Sequence, residues 1–390
     1  MNTHLKPAEA GPHSIRSVPE ETYEEFRDAV RRLALERIAP HAAEIDRTKA
    51  LPVKTLAAFR EIGLTGLPYD ESLGGQDGNL MFQIIAVEEV SRVCASSGLT
   101  LMTSWAALDP LVRFGPPALV QQVLPNVISG TEVAAWCLTE PQGGSDLPAL
   151  KTQAVPDGEG WRINGVKRFI TNATWAEWYL VLAKTGEKSF GIFMVHRDDP
   201  GISFGELEKK MGQRGSPTAD VNFDDCRIPA GREVGDTRQG YQNMMVSLTI
   251  SRPMVAALAL GIAQGALDEA VKYVKERKQF GQTLARFQML RGMIADMVVK
   301  IESSRALLYK AVETIETDPN RGRHLASMAK MLCSDTAMSV ATDAVQLHGG
   351  YGYLEDYPVE RMMRDAKITQ IFEGTNQIQR LIIAKTVLQD

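Results

Sequence analysis

The sequence contains little cysteine, little histidine and no excess of positive charge. Four cysteines and six histidines are scattered over 390 residues, with no C-x-x-C motif and no cysteine beside a histidine. This spacing argues against a zinc site and predicts reduced, mostly buried thiols. The formal net charge of −5 offers no basic surface of the kind that nucleic-acid binding requires.

Long apolar runs and targeting signals are also missing. We find no apolar run of membrane-spanning length, so no membrane span is predicted. Residues 1–19 lack the apolar core of a signal peptide, and acids come early in the sequence, at Glu9, Glu20 and Glu21, unlike in an organelle transit peptide. We therefore expect a flexible leader at 1–19 on a cytoplasmic bacterial protein, or on a mitochondrial matrix protein if the source is eukaryotic.

What the sequence does contain is a change of hydrophobic period along the chain. Residues 20–131 have the period of amphipathic helices, and in the first of them Val30, Ala34 and Ile38 share one face until Pro40 breaks the pattern. Residues 132–238 have short β-branched and aromatic runs, with a D-G hairpin signal in "VPDGEGWRING". Residues 239–390 return to long helices.

These segments predict three domains and a mainly α fold with a central β domain. An N-terminal α-helical domain at 20–131 is followed by an antiparallel β-barrel or sandwich at 132–238. A C-terminal four-helix bundle at 239–390 completes the chain. The segment "SRPMVAALALGIAQGALDEAV" is rich in alanine and glycine and apolar nearly all round, which predicts a central helix that its neighbours approach closely.

The stretch "QIFEGTNQIQR" places the carboxylate of Glu373 directly after Ile371 and Phe372. A charged side chain beside apolar residues is costly to desolvate. Glu373 is therefore either a solvated turn residue that precedes a capped helix, or a base whose pKa is tuned by its surroundings. Taken alone, the E-G-T sequence favours helix capping by Thr375.

Four other motifs are weak signals when each is taken alone. "TEPQGGSD" is a surface turn or a ligand loop with the hydroxyls of Thr139 and Ser145, and "KRFITN" is a half-buried strand or the edge of a heterocycle site. Arg277 in "ERKQFG" either interacts with a helix dipole or meets a phosphate. In "QLHGGYGY", capping or packing is a better interpretation of His348 than general-base catalysis.

Taken together and in this order, these motifs resemble the acyl-CoA dehydrogenase family, in its short- and medium-chain branch. "TEPQGGSD", "FITN", "SRP", "ERKQFG", "QLHGGYGY" and "RDAKITQIFEGTNQIQR" carry the resemblance, which extends from about residue 20 to the C-terminus. It implies non-covalent FAD, an acyl-CoA substrate in fatty acid metabolism, a homotetramer built as a dimer of dimers, and an electron-transferring flavoprotein as acceptor.

The resemblance also assigns roles to individual residues. It implies that Leu138, Thr139 and Ser145 lie along the flavin and its ribityl–pyrophosphate side, and that Phe169 and Thr171 meet the isoalloxazine ring. It implies that the adenosine diphosphate part of a neighbour's FAD is contacted by Arg277, Phe280, Gln346 and Gly350. Thr375 and Gln377 would close over the FAD. The substrate would be contacted by Arg252, near its CoA portion, and by Ser145 and Gly374. Phe169 stands where close relatives have Trp.

For the chemistry, the resemblance implies that Glu373 takes the pro-R α-proton while the β-hydride goes to flavin N5, giving a trans-2-enoyl-CoA. Phe372 and Ile371 are suited to form an apolar wall, and water expelled by the substrate would raise the pKa of the base. Some relatives carry the base on the helix that begins near Gly240. The candidate stretch there, "SLTISRP", contains no acid.

The acyl chain is less well determined. Glutaryl-CoA dehydrogenases place an arginine in the stretch that corresponds to Ser96–Pro110, whereas residues 98–101 here read Gly-Leu-Thr-Leu, which disfavours a dicarboxylic acyl group. Trp105 suggests a short, branched or cyclic chain. An acyl-CoA oxidase, a flavin monooxygenase of the same fold and a non-catalytic flavoprotein or assembly factor remain alternatives.

Overall fold

The computed structural model describes residues 18–388 and places a β region between two helical regions. The first helical region contains α1 (Glu20–Leu33), α2 (Ala42–Thr48), α3 (Val53–Glu61), α4 (Leu80–Ser91), α5 (Ala95–Phe114) and α6 (Pro117–Ile128). The β region contains β1 (Ala134–Cys137), β2 (Gln153–Asp157), β3 (Gly160–Thr171), β4 (Trp178–Lys184), β5 (Phe190–His196), β6 (Ile202–Phe204) and β7 (Thr218–Ile228). The second helical region contains α7 (Gly240–Glu276), the hairpin strands β8 (Lys278–Gln279) and β9 (Gln282–Thr283), α8 (Gln288–Thr317), α9 (Pro319–His348), α10 (Pro358–Thr369) and α11 (Asn376–Leu388).

This order confirms the predicted mainly α fold with a central β domain. The long helices α7, α8 and α9 pack with α10 into the C-terminal bundle, and α11 lies against α9. Residues 1–17 of the predicted leader lie outside the described residues. All four cysteines are buried free thiols, as their spacing predicted.

The first helix shows how the hydrophobic pattern and Pro40 shape the backbone. Val30, Ala34 and Ile38 are buried, as the helical period predicted. Since proline has no N–H to donate, the α-helical hydrogen bonds do not continue through Pro40. The chain passes through a π-helical turn at Ala34–Ile38 and a 3₁₀ turn at Ala39–His41 before α2 begins.

The β region is one seven-stranded sheet in the order β1-β4-β2-β3-β7-β6, with β5 paired to β4. Antiparallel pairing dominates, as predicted, but β1 and β2 each pair in parallel with β4. The pairing of β3 with β7 shifts register between Lys167 and Ile170. Such a bulge bends the strand and redirects a side chain, here that of Phe169.

Helix α7 is the central helix of the protein. A Cβ on Gly261 would stand 2.3 Å from the carbonyl oxygen of Glu88, and one on Gly265 would stand 2.0 Å from that of Arg92. These glycines therefore allow α7 to approach the end of α4 closely, as the small-residue pattern predicted. By length and composition α7 could cross a membrane, contrary to our expectation that no run is long enough, but 83% of its most apolar window is buried within the protein. We attribute its apolar character to its place in the core.

Candidate active site

Glu373 lies in a tight turn between α10 and α11. Its backbone has φ 54° and that of Gly374 has φ 90°, a conformation that is uncommon for residues other than glycine. The N–H of Ile378 donates to Oγ1 of Thr375 at 3.3 Å, so Thr375 caps α11 as predicted. Phe372 packs against the helical core, whereas Ile371 is 47% exposed. That the two form an apolar wall around the base stays a prediction.

One side chain hydrogen-bonds to the Glu373 carboxylate, and two cations lie near it. The hydroxyl of Ser251, on α7, donates to Oε2 of Glu373 at 3.0 Å. Burial raises the pKa of Glu373, while the Ser251 hydroxyl and the charges of Arg252 and Lys330 oppose that rise. The α7 segment "SLTISRP", which contains no acidic residue, thus provides the Ser251 hydroxyl, and Glu373 provides the carboxylate.

Arg252 is buried beside this pair, at 5% exposure. Burial lowers the pKa of its guanidinium to about 10, although Glu373 opposes the shift. Its Nε finds no hydrogen-bond partner within residues 18–388. A buried cation with an unused donor suits an anionic or carbonyl ligand, but the contact of Arg252 with CoA stays a prediction.

The predicted flavin motifs lie where the C-terminal ends of β1 and β3 meet, a place that we call the Thr139–Phe169 edge. The N–H of Arg168 donates to the carbonyl of Thr139 at 2.8 Å, which joins the segment after β1 to the bulge of β3. Phe169 has φ 59° and is 58% exposed, and the guanidinium carbon of Arg168 lies 4.6 Å from its ring centre. Leu138, Thr139 and Thr171 are half-buried, and both threonine hydroxyls lack hydrogen-bond partners within residues 18–388. An exposed aromatic face therefore lies close to free hydroxyl groups.

A buried ion pair that we did not predict supports this edge. Nζ of Lys167 donates to Oε1 of Glu140 at 2.8 Å and to the carbonyl of Leu138 at 3.1 Å. Burial alone would raise the pKa of Glu140, but Lys167 and the N–H groups of Lys151 and Thr152 lower it to about 2. The sequence signal for the burial of Lys167 was its place four residues after the buried Ile163, on the same face of β3.

Ser145, also predicted to bind FAD and substrate, lies exposed in the loop after β1.

Three of the remaining predicted residues, Arg277, Gln346 and Gly350, line a cleft at the other end of α7. This cleft of about 550 Å³ is lined by Tyr273, Arg277, Gln346, Gly350 and Tyr351 among others. The guanidinium carbon of Arg277 lies 5.3 Å from the ring centre of Tyr351. The structure therefore brings the "ERKQFG" and "QLHGGYGY" motifs together.

Of the other residues discussed above, Phe280 and Gln377 are exposed and His348 is buried. Phe280 projects from the hairpin of β8 and β9 at 92% exposure, and Gln377 is exposed in the first turn of α11. His348 is buried and stacks on Tyr273 with a ring separation of 4.2 Å, and its Nδ1 lies 2.8 Å from the carbonyl of Ala344. Burial lowers the pKa of His348. Its role is packing, as we expected.

Comparison with known proteins places this architecture in one family. The family models described as acyl-CoA dehydrogenase N-terminal, middle and C-terminal domains match residues 20–131, 135–226 and 238–388. The chain is 44% identical over 378 residues to cyclohexane-1-carbonyl-CoA dehydrogenase of Geobacter metallireducens, and the aligned region covers 95% of this chain and 99% of that protein. It is 43% identical over 377 residues to the probable acyl-CoA dehydrogenase fadE25 of Mycobacterium leprae, covering 95% and 96%.

The fold agrees with these relatives. The structure of butyryl-CoA dehydrogenase from Megasphaera elsdenii superposes with a TM-score of 0.91 at 36% identity, covering 96% of this chain and 100% of that one. Three matched domains, two relatives above 40% identity and a shared fold all lead to the same assignment. The chain therefore belongs to the acyl-CoA dehydrogenase family and is an oxidoreductase that acts on CH–CH groups.

Proposed function

We propose that this protein catalyses the α,β-dehydrogenation of an acyl-CoA thioester to a trans-2-enoyl-CoA, with Glu373 as the base. The observation that carries the proposal is the half-buried carboxylate of Glu373, held by Ser251 in a turn of uncommon backbone conformation. Burial raises its pKa, which is the property that a base for a weakly acidic C–H requires. Strained backbone of this kind occurs preferentially at functional sites.

Glu373 provides two groups for this step: its carboxylate accepts the α-proton, and its backbone N–H stabilises the substrate from which that proton leaves. Ser251, Arg252 and Lys330 favour the ionised carboxylate of Glu373 in the free protein. The N–H of Glu373 has no hydrogen-bond partner within residues 18–388, so it is free to donate to a thioester carbonyl oxygen. Such a donor stabilises the negative charge that develops on that oxygen when the α-proton leaves. Because substrate expels water, it should raise the pKa of Glu373 further toward neutrality.

The residues around the Thr139–Phe169 edge fit the FAD that the family implies. Phe169 offers an aromatic face to a flat ring, and the free hydroxyls of Thr139 and Thr171 suit its polar edge. Arg277, Gln346 and Gly350 line a cleft with the cation and open backbone that a diphosphate needs. When bound, FAD supplies the acceptor for the hydrogen and two electrons that leave the β-carbon. We further propose a homotetramer, in which this cleft receives a neighbour's adenosine diphosphate, and an electron-transferring flavoprotein as acceptor.

For the substrate we propose a cyclic or branched acyl-CoA. Support comes from the 44% identity to cyclohexane-1-carbonyl-CoA dehydrogenase and from α5. Trp105 on α5 is 3% exposed, and its Nε1 donates to the carbonyl of Thr65 at 3.1 Å, so the ring has one fixed position. Residues 98–101 of α5 are buried and uncharged, which leaves a distal carboxylate without a cationic partner there.

The test is anaerobic mixing of the FAD-loaded protein with a panel of linear, branched, cyclic and dicarboxylic acyl-CoAs. We expect bleaching of the flavin absorbance with cyclic or branched thioesters and none with glutaryl-CoA. Preference for long linear chains or for glutaryl-CoA would contradict the proposed substrate. Absence of bleaching with every thioester, in protein that retains FAD, would favour a non-catalytic flavoprotein.

A further inference from the structure

Lys330, in the middle of α9, lies directly beneath the Glu373 turn and is 0% exposed. Its Nζ donates to the carbonyl oxygen of Gly374 at 2.8 Å and to Oδ1 of Asn376 at 3.0 Å. A buried ammonium is costly unless hydrogen bonds satisfy it, so a lysine here requires these partners. Both of them follow Glu373 within three residues.

A second buried side chain holds the same turn from α11. Nε2 of Gln379 donates to the carbonyl oxygens of Glu373, at 3.1 Å, and of Gly374, at 2.9 Å. Gln379 is 0% exposed. The carbonyl of Gly374 therefore accepts hydrogen bonds from both Lys330 and Gln379.

The turn needs such support because its backbone is unfavourable for glutamate. A residue other than glycine in the left-handed region keeps that conformation only where its surroundings impose it. With φ 54° at Glu373, the direction of the carboxylate depends on the carbonyl contacts of this turn. The same direction brings Oε2 within 3.0 Å of the Ser251 hydroxyl.

We infer that Lys330 is a positioning residue, which holds the Glu373–Gly374 turn through the Gly374 carbonyl and directs the Glu373 carboxylate into the active site. This inference rests on the proposed function, because it presumes that Glu373 is the base. Lys330 does not contact the Glu373 carboxylate in the structure. Its effect on the reaction is exerted through the backbone and through its charge.

The charges around Lys330 give the inference a signature in pH dependence. Arg252 approaches from α7 and Glu373 from the turn, while Asp335 on α9 pairs with Arg380 of α11 at 3.3 Å. Burial lowers the pKa of Lys330 to about 7, and Glu373 and Asp335 oppose that shift. Since the Lys330 cation favours the ionised form of Glu373, its removal should raise the pKa of Glu373.

The experiment compares Lys330→Met with Gln379→Met, and uses Lys310→Met at an exposed lysine of α8 as control. For Lys330→Met we expect kcat to fall about 100-fold, as a misplaced catalytic group does, with a small change in KM. The acid limb of its kcat/KM profile, which is the fall in kcat/KM on the low-pH side, should move to higher pH. Gln379→Met should lower kcat without moving the limb, because Gln379 carries no charge, and Lys310→Met should change neither.

A readout independent of turnover is backbone hydrogen exchange. Exchange across residues 371–376 should become faster in Lys330→Met and stay unchanged in Lys310→Met. Wild-type kcat together with unchanged exchange in a folded Lys330→Met would overturn the inference. If Lys330→Met does not fold, Lys330→Gln decides: its amide can still donate to the Gly374 carbonyl but carries no charge, so kcat should fall less, while an acid limb that stays in place would overturn the inference.

Glu373→Gln, measured in the same assays, separates the two proposals. An inactive Glu373→Gln beside a fully active Lys330→Met would retain the proposed function and refute the role of Lys330. An active Glu373→Gln would refute the function itself.

Discussion

Replacing Ser251 with alanine should weaken Glu373 as a base at low pH. The substitution removes the hydroxyl that donates to Oε2 of Glu373 at 3.0 Å and leaves the turn, Arg252 and Lys330 in place. A hydrogen bond to a charged group contributes about 1.5–3 kcal/mol. With roughly 1.4 kcal/mol per pH unit, the acid limb should move upward by about one to two units. Because Glu373 is only half-buried, we expect the lower end of that range.

The sign of this shift follows from which form of Glu373 the hydroxyl stabilises. Ser251 donates to the ionised carboxylate, so its loss raises the pKa of Glu373, and a higher pH is needed to ionise the base. The assay is the pH dependence of kcat/KM with ferrocenium as acceptor, because this profile reports ionisations of the free enzyme. Ser303→Ala, at an exposed serine of α8 that donates to the Val299 carbonyl, is the control. An acid limb that stays in place or moves downward in Ser251→Ala would refute the reasoning.

Two further substitutions test the flavin edge and the acyl pocket. Lys167→Met leaves Glu140 buried without its cation, which should cost about 3–5 kcal/mol of unfolding free energy and weaken FAD binding, while adding Glu140→Gln should restore part of the stability. Since the pKa of Glu140 is lowered to about 2, the contribution of this pair to the free energy of unfolding should persist above pH roughly 4 and be lost as the pH falls toward 2. If Lys167→Met unfolded in denaturant and in acid as the wild type does, the role of the pair would be contradicted. Trp105→Phe removes the hydrogen bond to Thr65 and part of the ring, so kcat/KM for linear relative to cyclic acyl-CoAs should rise, by about tenfold at most. An unchanged ratio across the acyl-CoA panel would show that Trp105 does not shape the pocket.

The helical elements could be predicted from local sequence because their patterns repeat within a few residues. The buried face of α1 follows from the spacing of Val30, Ala34 and Ile38, and the central place of α7 follows from its small and apolar residues. The N-cap at Thr375 was likewise visible in the order of residues after Glu373. In each case the cause and the structure lie within one element.

Contacts between distant segments could not be predicted from local patterns. The Ser251–Glu373 hydrogen bond spans 122 positions and the Lys330–Gly374 bond spans 44. A lysine on a helix predicts an exposed side chain, and Lys330 departs from that expectation because its partners come from another element. The bulge that redirects Phe169 and the parallel pairing of β1 with β4 depend on sheet register, which the motifs do not encode.

The central claim is that Glu373 removes the α-proton, and its most direct test is anaerobic reduction of bound FAD by an acyl-CoA in Glu373→Gln. We predict that this variant retains FAD and binds the thioester, while the rate of flavin bleaching falls at least 10²–10⁴-fold, roughly the contribution of a general base. Bleaching at close to the wild-type rate would contradict the account.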